Sequence, residues 1–401
     1  MPKRQPQWVG GTPEIGSARK SENRETLPFP LGRDYLDFYS ARYALYHGLE
    51  SVGLKADDGI LAPSYCCGTE IDPLLFRKLV LHWYQVDGQL RVSLDSVRSS
   101  WRPGVKALLV NHFFGFNGLS EEVVSFCRER GLLIIEDCAH AFLSASDDGR
   151  ALGSKGDFAV FSLRKSLGTP DGGALVVNGD ASLERHITLR EPNPWPILYR
   201  TTELISQNSD PLGSRARWLR WLAARSAGRL FTRTRVAFRV ANKVGHVFDD
   251  CLIHPNDYAF SASAVNWRMS KFSRTRVGGK DWSTIVSVRR RNFEFLLRET
   301  KRFPVLRPLF DSLEPGTCPL LFPTVIDERE AIHEALFRLG VDSHVWWAFL
   351  HPAVPWDSFP EARYLKSNLL GFPIHQGLEI THMERIIETL VQVRKTTNLL
   401  A

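Results

Sequence analysis

Short apolar runs alternate with segments of helical periodicity along much of the chain. Lys106 to Asn111 (KALLVN) reads as a buried strand bounded by Pro103-Gly104. Leu119 to Arg130 reads as a helix, with Ser120 as its cap, Glu121 and Glu122 in its first turn, and Gly131 as its stop. Leu132 to Glu136 (LLIIE) is a second strand, and Phe158 to Ser162 and Ala174 to Val177 are two further β runs. Strand, helix, strand at this spacing predicts an α/β domain built on a largely parallel, mixed sheet. Upstream, Arg33 to Val52 reads as a helix, with Leu36, Tyr39, Tyr43 and Leu49 on a broad apolar side. From about Asn266 the texture changes. Arg276 to Lys301 predicts one long helix, Leu320 to Ile326 a strand, Arg329 to Leu339 a helix ended by Gly340, and Ile380 to Lys395 a last amphipathic helix. The expected organisation is a polar tail at 1–27, a large domain at 28–250 with an insertion at about 195–255, and a smaller α+β domain at 256–401.

Composition narrows the class. The 401 residues are 43% hydrophobic and 24% charged, which excludes collagen-like, low-complexity and fully disordered chains. No uninterrupted apolar run reaches the roughly 18 residues of a spanning helix. Met1 to Glu25 lacks the apolar region of a secretory signal. Cys66, Cys67, Cys127, Cys138, Cys251 and Cys318 show no CxxC spacing. Neither a disulfide framework nor a metal site is expected, and a reducing cytoplasm fits.

The net charge of +7 is concentrated in one place. Gly213 to Phe248 holds nine Lys and Arg and no Asp or Glu, so the rest of the chain carries −2. Trp218, Trp221, Phe231 and Phe238 are interleaved with those cations. Three readings stay open: a helical lid with a solvated basic face, a peripheral contact with an anionic membrane, and a polyanion site. No nucleic-acid motif accompanies the charge, so nucleic acid is not an expected partner.

In open α/β sheets ligands bind beyond the carboxyl ends of the strands. His112 follows the first strand run, Asp137 and His140 follow the second, and Ser162 and Lys165 follow the third. Singly, each has an ordinary structural reading: a helix cap, a solvated lysine, a satisfied histidine. Together, a Lys, an Asp and a His at one sheet edge are what a pyridoxal phosphate site requires.

Glu136-Asp137-Cys138-Ala139-His140-Ala141, Gly153-Ser154-Lys155-Gly156-Asp157, Phe161-Ser162, Lys165 and Asp171-Gly172-Gly173-Ala174 fall in one order that resembles the DegT/DnrJ/EryC1/StrS family. Its members are fold-type-I, pyridoxal-phosphate-dependent sugar aminotransferases. Asn111-His112-Phe113-Phe114-Gly115, Asn266-Trp267-Arg268-Met269 and Leu370 to His375 extend the likeness from about Asp34 to Val393, without the basic segment.

The resemblance implies that Lys165 carries the cofactor and shuttles protons. It implies that Asp137 pairs with the ring nitrogen, that His140 sits by the 3-oxygen, and that Ser162 binds the phosphate. Asn266 would reach the cofactor of a second subunit, so a homodimer with shared sites is expected. The family's Ser-Gly-Thr phosphate cup reads Ser40-Ala41-Arg42 here, and Ala41 and Arg42 are taken as its counterparts. The family's stacking aromatic is replaced by Cys67, with Tyr65 as the candidate substitute. The spacing from Ser162 to Lys165 is shorter than the family's. His344, Trp346, Trp347 and His351 are candidates for the substrate pocket, although paired Trp are more often core.

The expected reaction is amino transfer from an amino acid such as glutamate to a nucleotide- or lipid-linked keto-sugar, in polysaccharide or amino-sugar biosynthesis. A sugar dehydratase on the same scaffold is the second reading; family members of that kind carry His in place of the lysine. A non-catalytic scaffold in polysaccharide assembly is the third.

Overall fold

The computed structural model describes residues 8–15, 28–178, 187–208, 260–278, 280–347 and 350–397. The basic segment 213–248 and Cys251 lie outside the described residues. The first sheet is built from β1 (Leu36–Phe38), β2 (Gly59–Pro63), β3 (Val80–Tyr84), β4 (Val105–Asn111), β5 (Leu133–Cys138), β6 (Phe158–Phe161) and β7 (Gly173–Val177). The helices interspersed among them are α1 (Ala41–Ser51), α2 (Ile71–Phe76), α3 (Leu94–Ser100), α4 (Glu121–Glu129) and α5 (Leu163–Leu167). The strand order is β1-β7-β6-β5-β4-β2-β3. Strands β2 to β6 run parallel, and β7 is antiparallel to both β6 and β1.

β4 and β5 read as continuous apolar runs because a parallel strand is covered on both faces. Their register sets Asn111 beside Asp137, and Asp137 beside Val160 of β6. As expected, Ser120 caps α4 by accepting from the N–H of Val123 at 3.4 Å.

After α6 (Pro194–Gln207) follow α7 (Lys271–Val277), α8 (Trp282–Glu299), β8 (Arg307–Pro308), β9 (Phe322–Val325), α9 (Arg329–Arg338), β10 (His344–Val345), α10 (Pro360–Asn368), β11 (Leu369–Phe372) and α11 (Ile380–Thr396). β10, β11, β9 and β8 make a second, antiparallel sheet in that order. One apolar core includes Tyr65, Phe113 and Phe114 from the first sheet's loops together with Phe322, Leu370 and Ile386, so the two sheets are tied by shared packing. No described helix is long and apolar enough to cross a membrane.

Three elements differ from the pattern-based expectation. Arg33 to Val52 is not one helix. Leu36–Phe38 forms β1 against β7, Asp37 on it pairs with Arg268 at 2.9 Å, and α1 starts only after Ser40 in an extended conformation. The apolar positions suit both shapes, and a non-local strand partner decides between them. Arg276 to Lys301 is likewise broken. Gly278 is extended, and Asp281 opens α8 by accepting from the N–H of Thr284 at 2.9 Å.

Residues 8–15, inside the expected tail, form a packed strap. Val9 is fully buried, its N–H donates to Gly340 O at 2.8 Å, and its carbonyl accepts from Asp342 at 3.0 Å. His375 and His344 donate to the carbonyls of Gly10 and Gly11, at 3.0 and 2.6 Å. The strap also crosses Gly168, the left-handed residue that ends α5. A Cβ there would lie 2.6 Å from the carbonyl oxygens of Pro13 and Glu14.

Candidate active site

The carboxyl ends of β4, β5 and β6 and the first turn of α1 enclose one cavity. Lys165, Asp137 and His140 all line it. Lys165 lies on the five-residue α5 directly after β6, and its Nζ is 2.9 Å from His140 Nε2. Asp137 accepts from the N–H of Ala139 at 2.8 Å through Oδ1, which leaves its second oxygen for a donor entering the cavity.

Electrostatics distinguish the three groups. Burial, then the nearby Glu70 carboxylate, pushes the Asp137 carboxyl up to about 6. Burial lowers the Lys165 amine, with Arg164 adding to the effect while Cys67, Asp137 and Glu70 oppose it. Burial, then Lys165, holds the His140 ring well below its usual value.

Ser162, Ala41 and Arg42 line the same cavity. Gly173 explains how α1 comes so close to β7, because a Cβ there would lie 2.3 Å from the carbonyl carbon of Ser40 and 2.5 Å from Ala41 N. Ser40 Oγ and Asn111 Oδ1, both at the cavity, are buried without a hydrogen-bond partner in the protein. The Ser40 hydroxyl, the N–H groups of α1's first turn and Arg42 form a cradle that suits a phosphate monoester.

Tyr65 is not brought to the cavity, and Asn266, expected to reach a second subunit's cofactor, does not line this chain's own cavity. Tyr65 is fully buried behind it, with its ring 5.3 Å from Phe113 and 5.4 Å from Trp347; Phe113, Trp347 and Cys67 line the wall instead. Asn266 lies beside α1, where its side chain meets His47 and its carbonyl accepts from Arg190 at 2.9 Å. Of the C-terminal candidates, Trp347 lines the cavity, and Trp346 packs against His140 at 5.3 Å. His344 holds the strap, and His351 pairs with buried Asp72 at 3.2 Å.

Several motif residues prove to be structural. His112 faces the cavity, but its Nδ1 accepts from Gly118 N–H at 3.1 Å and its Nε2 donates to Glu136 at 2.8 Å. Glu136 also accepts from the N–H groups of Gly153, Lys155 and Gly156, which pins that loop. His112, Glu136 and Cys138 cluster closely enough to suggest a metal site, but the His and Glu atoms are already engaged in these bonds. Asp171 accepts from the N–H and hydroxyl of Ser270 at 2.6 and 2.7 Å, anchoring the loop after Lys165 to α7. Lys155 pairs with Glu121 at 2.7 Å, away from the cavity. The five described cysteines are free thiols.

Pattern reading missed Glu70 and Arg289. Glu70 lines the cavity and accepts from Cys67 N–H (3.1 Å), Asn111 Nδ2 (2.9 Å) and the Cys67 thiol (2.9 Å). Two acidic residues, Glu70 and Asp72, in the otherwise uncharged stretch Tyr65 to Leu75 were the available signal. Arg289 gave none, because it sits in a run of three arginines that reads as solvated.

Residues 36–194 match the model of the DegT/DnrJ/EryC1/StrS aminotransferase family. The signatures at Asn266 to Met269 and Leu370 to His375 lie beyond that span. The chain is 28% identical over 170 residues to a UDP-N-acetyl-3-dehydro-alpha-D-glucosamine 3-aminotransferase of Acidithiobacillus ferrooxidans, covering 41% of this chain and 45% of that one. It is 42% identical over 137 residues to a dTDP-4-dehydro-2,3,6-trideoxy-D-glucose 4-aminotransferase of Saccharopolyspora spinosa, covering 33% and 35%. The chain thus spans less than half the length of these curated relatives. The fold is that of the aminotransferase TlmJ from Streptoalloteichus hindustanus, with a TM-score of 0.60 at 22% identity over 89% of this chain and 84% of that one. Over residues 36–194, the chain is similar to the DegT/DnrJ/EryC1/StrS aminotransferase family.

Proposed function

We propose that the protein is a pyridoxal-phosphate-dependent aminotransferase that moves an amino group from an amino acid to a nucleotide- or lipid-linked keto-sugar. The observation that carries this reading is the meeting of Lys165, Asp137 and His140 in one cavity with the unpartnered Ser40 hydroxyl at the start of α1. The two curated relatives are named as aminotransferases of nucleotide-linked sugars, which supports the substrate class.

Pyridoxal phosphate, when bound, supplies an electron sink for breaking a bond next to nitrogen. The chain's own groups do the rest. Ser162, Ser40 and the first turn of α1 would hold the phosphate. Asp137 would hold the ring nitrogen's proton. Lys165 Nζ would anchor the cofactor, then take and return the proton in each half-reaction. Lys165 also favours this reading over the dehydratase, which calls for His at that place.

The domain division near residue 256, a homodimer in which Asn266 reaches the partner's site, a cytoplasmic setting and a peripheral membrane contact through 213–248 belong to the same proposal. The basic composition of 213–248 supports the last of these; deleting it should abolish sedimentation with anionic vesicles and leave amino transfer intact.

The decisive experiment is the absorbance spectrum of the protein reconstituted with pyridoxal phosphate, followed by a screen of amino donors. A visible cofactor band that disappears with a donor is expected, and Lys165→Ala should remove both band and turnover. No bound cofactor after reconstitution would overturn the reading in favour of a scaffold.

A further inference from the structure

We propose that the backbone N–H of Phe114 fixes the tautomer of His140 and so keeps Lys165 an uncharged amine. This rests on the aminotransferase reading and adds a positioning role that acts before any cofactor arrives.

The geometry leaves one proton arrangement. Phe114 N–H donates to His140 Nδ1 at 3.3 Å, so Nδ1 must offer its lone pair. A neutral imidazole then carries its proton on Nε2, which lies 2.9 Å from Lys165 Nζ. That N–H is a donor, so Nζ has to accept. An ammonium has three donors and no lone pair; an amine can accept. An imidazolium, or the opposite tautomer facing an ammonium, would set two N–H groups against each other at Phe114. Flipping the ring would put carbon where each nitrogen bonds.

The surroundings hold the ring still. Phe114 stacks on it at 5.6 Å, and Trp346 and Trp347 wall it at 5.3 and 5.4 Å. The turn bearing the N–H is fixed in turn. Phe114 sits in the left-handed region (φ 56, ψ 14), and its carbonyl accepts from Leu320 N–H at 2.9 Å. Besides His140, the charged and titratable groups that act most strongly on Lys165 are Cys67, Arg164, Asp137 and Glu70. Cys67, Asp137 and Glu70 favour the ammonium, while burial and Arg164 favour the amine, and their net effect lowers the Lys165 amine from its ordinary value. An uncharged amine is the form that condenses with a carbonyl, so the device readies Lys165 for an aldehyde.

The test uses the full chain stripped of cofactor with hydroxylamine. Nitrogen-15 spectra of the histidines, with His140 assigned by its loss in His140→Gln, should show a bare Nδ1 and a protonated Nε2 across about pH 6 to 9. Independently, acetylation of Lys165 followed by mass spectrometry should titrate at lower pH than exposed Lys55. His140→Gln should keep that profile, because its amide oxygen can accept from Phe114 while its NH₂ donates to Nζ. His140→Glu should shift it upward, because a carboxylate attracts an ammonium. An Nδ1–H tautomer, a Lys165 that titrates like Lys55, or equal profiles for the two variants would each overturn the proposal. The cofactor band, measured on the same samples after reconstitution, separates this failure from failure of the aminotransferase reading.

Discussion

Arg289 Nη2 donates to the carbonyl of Ser166 at 3.1 Å, so a buried cation on α8 grips the residue next to Lys165. Gln376 donates to the same carbonyl at 2.9 Å and is itself held by Arg289 through its amide oxygen. The lysine loop of the first sheet is therefore anchored by residues that pack with the second.

Replacing Arg289 by Met should expose the strength of that anchor. The variant keeps apolar volume but removes the guanidinium donors to Pro319 O and Gln376 Oε1 and leaves Ser166 O with Gln376 alone. Unmet buried acceptors of this kind cost on the order of 3 kcal/mol together. Urea unfolding should show the loss, and Lys165 should become more reactive to amine reagents.

Asp137 predicts a pH effect of definite sign. Its carboxyl is pushed up to about 6 in the folded chain, above its unfolded value, so the folded state binds more protons between the two values. Stability of the cofactor-free protein from this group is therefore full at low pH and falls as pH rises through that window. Asp137→Asn should be more stable than the parent at about pH 8, by on the order of 2 kcal/mol, and equal to it at about pH 4. Denaturant midpoints at both pH values check this, and the same variant should lose the cofactor band.

Glu136 has the opposite sign. Burial alone would raise it, but the His112 bond and the N–H groups of Gly156 and Gly153 outweigh burial and lower it. Its contribution is present above the unfolded value and is lost as pH falls through the lower folded one. Glu136→Ala should cost on the order of 3 kcal/mol at neutral pH, with the deficit shrinking below about pH 4. Melting curves across that range measure it.

Gly168→Ala should release the strap. The residue is left-handed (φ +62), and the new methyl would lie 2.6 Å from two carbonyl oxygens of the strap. A cost of about 1–2 kcal/mol and faster amide exchange at Val9 and Asp342 are expected. Unchanged exchange would show that the strap does not depend on this crossing.

Much of the sheet edge was legible because its signals are local. The runs ending at Asn111, Glu136 and Phe161 are continuous and apolar, and Ser120 and Gly131 bracket α4. The residues that failed to read correctly depend on distant partners. Leu36 to Phe38 is a strand only because β7 lies beside it, and Val9 is buried only because Gly340 and Asp342 receive it. Tyr65 looked like a ring for the cavity, but Phe113 and Trp347 occupy the wall, and Trp347 arrives from more than two hundred residues along the chain. Lys165, Asp137 and His140 could be placed in one cavity from the sequence because each lies at or within a few residues of a strand's carboxyl end.

The strap has a consequence for synthesis. Gly10 meets its histidine partner 365 residues later in the chain. Until residues 340–344 and His375 have been made, the strap lacks the hydrogen-bond partners that hold it. A truncated product ending before His375 would carry Lys165, Asp137 and His140 on a completed first sheet, yet lack the late clasp that seals the loop behind them. Closure of the strap is thus tied to synthesis of the chain at least as far as His375.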